Sequence, residues 1–209
     1  MCIELEAGEN IPGDVSDSAL EYTGPINLAE SARLKARALS GLTWSALNEA
    51  VFAVGPVVEN LRITEIMYNP PDPNAEFVEL QNIGQDSINL NLVRFADGIR
   101  FTFPSIDLAP QAHVLVVRDV DAFEAQYGPV LPVAGQYQGA LSNQGEHIKL
   151  VDAVDRVIHD FDYDDKWYER TDGDGFSLVL TWPASSDPTQ WGDQNRWSPS
   201  PTLIGSPGE

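Results

Sequence analysis

The stretch Ile63–Leu80, ITEIMYNPPDPNAEFVEL, constrains the fold more than any other part of this chain, above all when read with the distant segment WSPSPTLIGSPG at 197–208. Its first residues alternate as a strand does. Ile63, Glu65 and Met67 are predicted on one face, and Thr64, Ile66 and Tyr68 on the other. After the break Asn69-Pro70-Pro71-Asp72-Pro73-Asn74, the run Phe77-Val78-Glu79-Leu80 resumes the strand. Prolines withhold the N–H that a ladder needs, so the hexamer must be a loop and the whole stretch a β-hairpin.

The same rhythm continues downstream. Strands are predicted over Leu61–Tyr68, Glu76–Asn82, Ser87–Phe95, Ile99–Phe103, His113–Arg118, His147–Val151, Arg156–Tyr163 and Phe176–Thr181, the spacing of an all-β sandwich. Turn residues separate them at Ile83-Gly84-Gln85, Ala96-Asp97-Gly98, Leu108-Ala109-Pro110 and Asp172-Gly173-Asp174-Gly175. One piece departs from the rhythm. Asp119–Tyr127 carries acidic residues early, Phe123 and Tyr127 four apart, and a Gly128-Pro129 stop, which predicts a short helix.

Taken in order, these elements resemble the lamin-tail domain over roughly residues 57–209. The residues that carry the resemblance are the opening hairpin with Glu76-Phe77-Val78-Glu79-Leu80-Gln81-Asn82, then Phe101-Thr102-Phe103-Pro104 and Leu108-Ala109-Pro110. Leu141-Ser142-Asn143-Gln144-Gly145-Glu146, Trp167, Phe176-Ser177-Leu178 and the closing Gly205-Ser206-Pro207-Gly208 complete it. Where the family often has Gly-Trp after its third strand, this chain has Val93-Arg94, a change at the surface rather than in the fold. The resemblance implies an immunoglobulin-like β-sandwich with one short helix. It also implies a binding and structural module, of the kind found in nuclear lamins and in many secreted bacterial proteins, rather than a catalyst.

Residues 1–55 form a different unit. Ala32–Ala38 alternates small or apolar residues with charged ones, Ser40-Gly41 turns the chain before Trp44, and Ala50–Val54 is a further short strand. Tyr22–Ile26 reads as a strand end and turn. The string from Tyr22 to Val54 resembles the last part of a fibronectin-type or chitobiase C-terminal-type β-sandwich. About 50 residues are present where a full sandwich takes about 100, so 1–55 is expected to be a truncated domain. Such a remnant exposes edge strands and is expected to gain order only against its neighbour. The linker Gly55-Pro56-Val57-Val58-Glu59-Asn60 divides it from the unit at 56–209.

Charge narrows the partners. With 12 Lys and Arg against 32 Asp and Glu the formal charge is −20, and both units are acidic. Neither has a basic cluster, so a phosphate backbone or an anionic membrane surface is repelled rather than neutralised, and no nucleic acid is expected as a partner. No apolar run reaches the roughly 18 residues that span a bilayer, so no membrane insertion is expected. Residues 1–20, with Glu4, Glu6, Glu9, Asp14 and Asp17, lack the character of a signal peptide, and the Met-Cys start has no hydrophobic segment before Cys2. That single cysteine rules out an intrachain disulfide, a CxxC metal site and a thioredoxin-type motif.

Several residue groups suggest chemistry. Asp160, Asp162 and Asp164 would share one face of a strand, but calcium prefers 6–8 oxygens from a loop folded around it. A solvated edge with Phe161 and Tyr163 turned inward is the expectation. Asp172-Gly173-Asp174-Gly175 imitates the opening of an EF-hand loop, yet position 12 is Pro183 rather than Glu. Glycines in a tight turn explain it without an ion. Glu65, Glu76 and Glu79 on the first hairpin offer paired carboxylates, the groups of glycoside hydrolysis. Glu65 is instead expected to meet backbone or solvent near the NPPDPN loop. His113, His147 and His159 show no metal-ligand spacing and are expected to be surface or satisfied polar residues. No GxSxG elbow, P-loop or GxGxxG occurs. Trp182, Trp191 and Trp197 lie in a polar C-terminal stretch, where an exposed ring can stack on a sugar but a buried one anchors the tail, as the family resemblance implies for Trp197.

No catalytic, cofactor or metal residue is therefore assigned. The expected role is a non-catalytic module of a larger exported bacterial protein, extracellular or at the cell surface, that mediates adhesion or targeting to a protein or glycan surface. The alternative is a calcium- or carbohydrate-binding accessory domain of a secreted enzyme. A nuclear-lamina role would require a heptad rod before residue 1, and the acidic charge argues against chromatin.

Overall fold

A computed structural model describes residues 2–5, 19–183 and 187–209. In the first unit, β1 (Cys2–Leu5), β2 (Leu20–Glu21), β3 (Ala32–Arg37) and β6 (Asn48–Phe52) make one antiparallel sheet in the order β2-β1-β3-β6. Between β3 and β6, β4 (Leu39–Ser40) and β5 (Thr43–Trp44) form a small hairpin about Gly41. Leu20, Leu42 and Phe52 are exposed here, and the buried hydrophobic core runs from Val57 to Trp197. The unit touches its neighbour through Asn91, whose Nδ2 donates to Ser31 O at 2.7 Å, and through Ser105 Oγ on Glu30.

A single helical turn, α1 (Val57–Asn60), leads into β7 (Leu61–Met67), all seven residues of which are buried. The proline-rich break is a loop as expected. Asp72 accepts from Asn74 N at 2.9 Å and opens one 3-10 turn, and β8 (Phe77–Asn82) returns antiparallel to β7. The predicted alternation fails at one place. Ile63 pairs with Leu80 but Glu65 pairs with Glu79, so Thr64 is an extra residue and β7 carries a bulge. Ile63 therefore joins Leu61, Ile66 and Tyr68 in the inner core, while Glu65 and Met67 face outward. Thr64 turns to the outer face with them and bonds Glu79.

The predicted strand Ser87–Phe95 is two strands. β9 (Ile88–Asn89) and β10 (Arg94–Asp97) are separated because Asn89 Oδ1 accepts from Asn91 N and Val93 N donates to Leu90 O, closing a turn with Leu92 at φ +66°. Asx hydrogen bonding competes with the ladder at such positions. β11 (Phe101–Thr102), β12 (Asp107–Leu108) and β13 (His113–Val117) follow, and β12 pairs with β9. The predicted helix is present as α2 (Val120–Tyr127), capped by Asp119 accepting from Ala122 N and stopped at Gly128 with φ +83°. Phe123 and Tyr127 from one face of α2 pack edge-on against Phe77.

Beyond α2, β14 (Val133–Gln136) runs parallel to β13, which the sequence pattern did not predict. Then come β15 (Glu146–Val151), β16 (Val157–Tyr163), β17 (Leu178–Leu180) and β18 (Trp197–Pro199). Two sheets result, a six-stranded one in the order β14-β13-β8-β7-β17-β18 and a four-stranded one in the order β11-β10-β15-β16. Their inner faces enclose the main core, giving an immunoglobulin-like β-sandwich. The six-stranded sheet is also buried on its other side, where Met67, Phe77, Leu115 and Val117 meet Phe123 of α2. This is why β13 reads as an unbroken apolar run rather than an alternation.

Past Val179 the β17 strand no longer pairs with β7, and side chains take over its role at Ile63. Ile63 N donates to His159 Nε2 at 3.2 Å, and Ile63 O accepts from Trp191 Nε1 at 3.0 Å. The two rings lie 4.7 Å apart, and Trp197 Nε1 donates to Trp191 O at 2.7 Å. Burial pushes the His159 imidazole well below its ordinary range, so it stays neutral and can accept. Trp191→Phe would leave the buried Ile63 carbonyl without a partner. Urea unfolding should show a loss of about 1–3 kcal/mol with an unchanged m-value.

Candidate functional site

The bulge in β7 brings two carboxylates into direct opposition on the outer face of the six-stranded sheet. Glu65 and Glu79 are cross-strand partners, 2% and 1% exposed. Like charges directly opposite destabilise a strand pair, so the pair needs donors close by. The C-terminal segment supplies them. Ser206 N donates to Glu65 Oε1 at 2.8 Å, Ser206 Oγ bonds Oε2 at 3.2 Å, and Ser177 Oγ also donates to Oε1. Glu79 accepts from Thr64 Oγ1 at 2.8 Å and from Gly208 N. Glycine is required at 205, where φ is +85° and a Cβ would lie 2.5 Å from Glu65 Oε1. Ile204 just before it is held at φ +67° by Tyr127, whose hydroxyl donates to Ile204 O.

Burial pushes Glu65 up to about 7. The bonds from Ser177 and Ser206 oppose that rise, and the charge of Glu79 adds to it. Burial likewise pushes Glu79 up to about 7 against the bonds from Gly208 and Thr64. His113 lines the same small cavity of about 270 Å³, with Nε2 3.9 Å from Glu79 Oε1, and burial lowers its pKa. Glu65 thus meets the closing segment and Ser177, not the surroundings of the NPPDPN loop as expected.

Glu76 sits elsewhere and acts as a staple. Its carboxylate accepts from Arg118 Nη1, from Tyr137 OH at 2.9 Å and from Leu141 N at 2.8 Å. It thereby ties the first hairpin to the segment that crosses between the sheets. The structure therefore brings Glu65 and Glu79 together and leaves Glu76 apart.

The aspartates of β16 follow the expected alternation, with Asp160 and Asp162 outward and Phe161 and Tyr163 buried. Asp160 contacts Lys149 Nζ at 2.7 Å and His147 Nε2 at 3.0 Å, and the Lys149 hydrogen bond holds its pKa below the usual range. Asp162 contacts His147 Nδ1 at 3.3 Å, and Asp164 turns away to cap a 3-10 turn through Lys166 N. Asp172 accepts from Asn69 Nδ2 at 3.0 Å beside Gly173 and Gly175, both at positive φ. Asn69 Oδ1 in turn accepts from Asn143 Nδ2, so the proline loop, the Asp-Gly turn and the 142–145 turn meet at one end of the sandwich. No cluster of three His, Cys, Asp or Glu placed to hold a metal occurs among the described residues.

Of the three candidate tryptophans, Trp191 and Trp197 are core residues and offer no face to a sugar. Trp182 is 69% exposed. His159 had a readable signal: it lies two residues before Phe161 and so shares the inward face of β16. The tie between Glu65 and Ser206 spans 141 residues and has no local signal. Two outcomes follow from this geometry. Glu76→Ala should cost about 2 kcal/mol or more by denaturant unfolding, because it leaves the buried Tyr137 hydroxyl and the Leu141 N–H without an acceptor and removes the ion pair with Arg118. Thermal midpoints in EDTA and in millimolar Ca²⁺ at matched ionic strength should agree within about one degree, whereas a bound ion at 100 times its dissociation constant would add roughly 2.7 kcal/mol.

A family model, the lamin tail domain, matches residues 56–165. Neither curated proteins nor solved structures show a match to the chain. The matched residues contain the bulged hairpin, α2 and both strands β15 and β16, while β17, β18 and the segment over Glu65 lie beyond them. An immunoglobulin-like sandwich with that match across more than half its length has one reading: the chain belongs to the lamin tail domain family.

Proposed function

We propose that this chain is a non-catalytic binding and structural module of a larger exported bacterial protein, acting in adhesion or targeting at the cell surface or outside the cell. The observation that carries this reading is how the buried carboxylates are used. Glu65, Glu76, Glu79 and Asp152 are the buried acids among the described residues, and each is engaged by donors of the fold itself. Glu65 and Glu79 line a small cavity of about 270 Å³, but their oxygens are taken up by Ser177, Ser206, Thr64 and Gly208, whereas a general acid or base needs an oxygen within reach of the substrate proton. The lamin tail domain family is a structural, immunoglobulin-like and non-catalytic one, which supports the same reading. The charge of −20 favours a protein or glycan surface over a polyanion as partner.

Residues 1–55 fit this reading as the end of a fibronectin- or chitobiase-type sandwich that leans on the lamin-tail unit. Their exposed Leu20, Leu42 and Phe52 support that assignment. A second reading, a carbohydrate-binding accessory domain, has one observation in its favour, the exposed Trp182.

Deletion of residues 56–209 from the intact protein in its host tests the proposal. Loss of surface attachment, with any catalysis by the remainder unchanged, is the expected result. Unchanged attachment would overturn it, and glycan binding abolished by Trp182→Ala would favour the accessory reading. As separate pieces, 56–209 should unfold cooperatively, and 1–55 should give a poorly dispersed NMR spectrum.

A further inference from the structure

The segment that closes over Glu65 and Glu79 is attached in an unusual way. Ser200 and Ile204 are tied by backbone bonds to Ser177 O and Gly175 O, and Tyr127 of α2 holds Ile204 O. Beyond Ile204, however, the Ser206 and Gly208 N–H groups end on two carboxylates that oppose each other across one strand pair, and residues 205–209 lie in no strand or helix. Beneath it lie apolar side chains. A Cβ at Gly205 would meet Phe77 Cζ at 3.2 Å, and one at Gly208 would meet Leu131 at 2.9 Å. Both Phe77 and Leu131 belong to the apolar layer under α2.

We propose that residues 205–209 form a pH-gated strap, docked on the sheet when the Glu65–Glu79 pair holds a proton and released when both carboxylates are ionised. Release would uncover the apolar layer around Phe77 and Leu131.

The groups facing the pair can be named from each packed element. β7 supplies Thr64, β8 supplies Gln81, β13 supplies His113, α2 supplies Tyr127 and the strap itself supplies Glu209. Among the described residues no Lys or Arg acts on either carboxylate, so no permanent cation compensates a second negative charge. Glu209 in the cavity adds a like charge.

The sign follows from where protons bind. With the strap released, both side chains are solvated and titrate near the ordinary 4.5; under the strap each is pushed up to about 7. Between those values the docked state binds more protons than the released one. Lowering the pH through this window therefore favours docking, and raising it favours release. The hydrogen bonds from Ser206, Ser177, Thr64 and Gly208 prefer ionised acceptors and oppose this, but burial outweighs them at both sites. Protonation of His113 at the acid end would favour an ionised Glu79 and also runs against the gate.

Amide hydrogen exchange of the full chain at pH 5.5, 6.5, 7.5 and 8.5, corrected for intrinsic rates, tests the strap. Protection of Ser206 and Gly208 should fall at least tenfold from pH 5.5 to 8.5. Inner-strand amides such as Leu80 and Val116 report global stability, including the separate titration of buried His159, and should not follow that fall. In the double variant Glu65→Gln with Glu79→Gln, strap protection should be independent of pH. Gly205→Ala serves as a second variant that leaves the carboxylates intact. Its Cβ cannot fit beside Glu65, so the strap should be unprotected at every pH while the core amides keep theirs. Strap protection that does not change with pH in the natural chain would overturn the proposal, as would a fall that persists in the double variant.

Discussion

Ile63 and the one-residue bulge beside it set the terms for everything around them. A bulge leaves backbone groups unpaired, and unpaired groups in a core carry a cost of about 1–3 kcal/mol each. In this sandwich the neighbouring strand has already ended, so His159 and Trp191 provide the acceptor and donor that a strand would have given. His159 comes from the opposite sheet and Trp191 from the C-terminal stretch. A single residue thus joins both layers and the tail. The arrangement works only with a neutral imidazole, which the surrounding apolar burial ensures.

The same bulge has a second consequence on the opposite face. Without the extra residue, Glu65 would lie out of register with Glu79. With it, the two carboxylates face each other and must be covered by donors from far along the chain. Glu76 shows the contrasting solution. Its charge is paired with Arg118 and shared with Tyr137 and Leu141, so it functions as a fixed tie between segments. One hairpin therefore holds one compensated carboxylate and one uncompensated pair. The compensated one joins the hairpin to the 137–141 segment, and the pair meets the closing segment at 205–209.

The surface is organised differently. Asp160 and Asp162 stand on an edge strand where Lys149 pairs with Asp160 and the His147 ring lies against both, and such exposed pairs contribute little to stability. Charged side chains on an edge strand do discourage pairing with other chains. The acidic balance of the molecule thus supports solubility and partner choice more than cohesion. The first unit differs, since its four-stranded sheet leaves Phe52 and Leu20 exposed and the unit meets its neighbour through Asn91 and Ser105.

The fold class was legible in the sequence, and so were the opening hairpin, the helix at 120–127 and the inward set of Phe161 and Tyr163. Each depends on local periodicity or on capping and turn residues close in sequence. Three things were not legible: the bulge at Thr64, the parallel strand Val133–Gln136, and the split of Ser87–Phe95 around Leu92. A bulge leaves composition unchanged while reversing which side chains face inward, so period-two reasoning placed Ile63 on the wrong side. That His159 and Trp191 answer Ile63, and Ser177 and Ser206 answer Glu65, was also out of reach, because each lies about a hundred residues or more away along the chain. Local sequence therefore determined which segments are strands and which are turns. Only tertiary packing decided which buried polar group answers which, because that depends on how the two sheets and the tail come together in space.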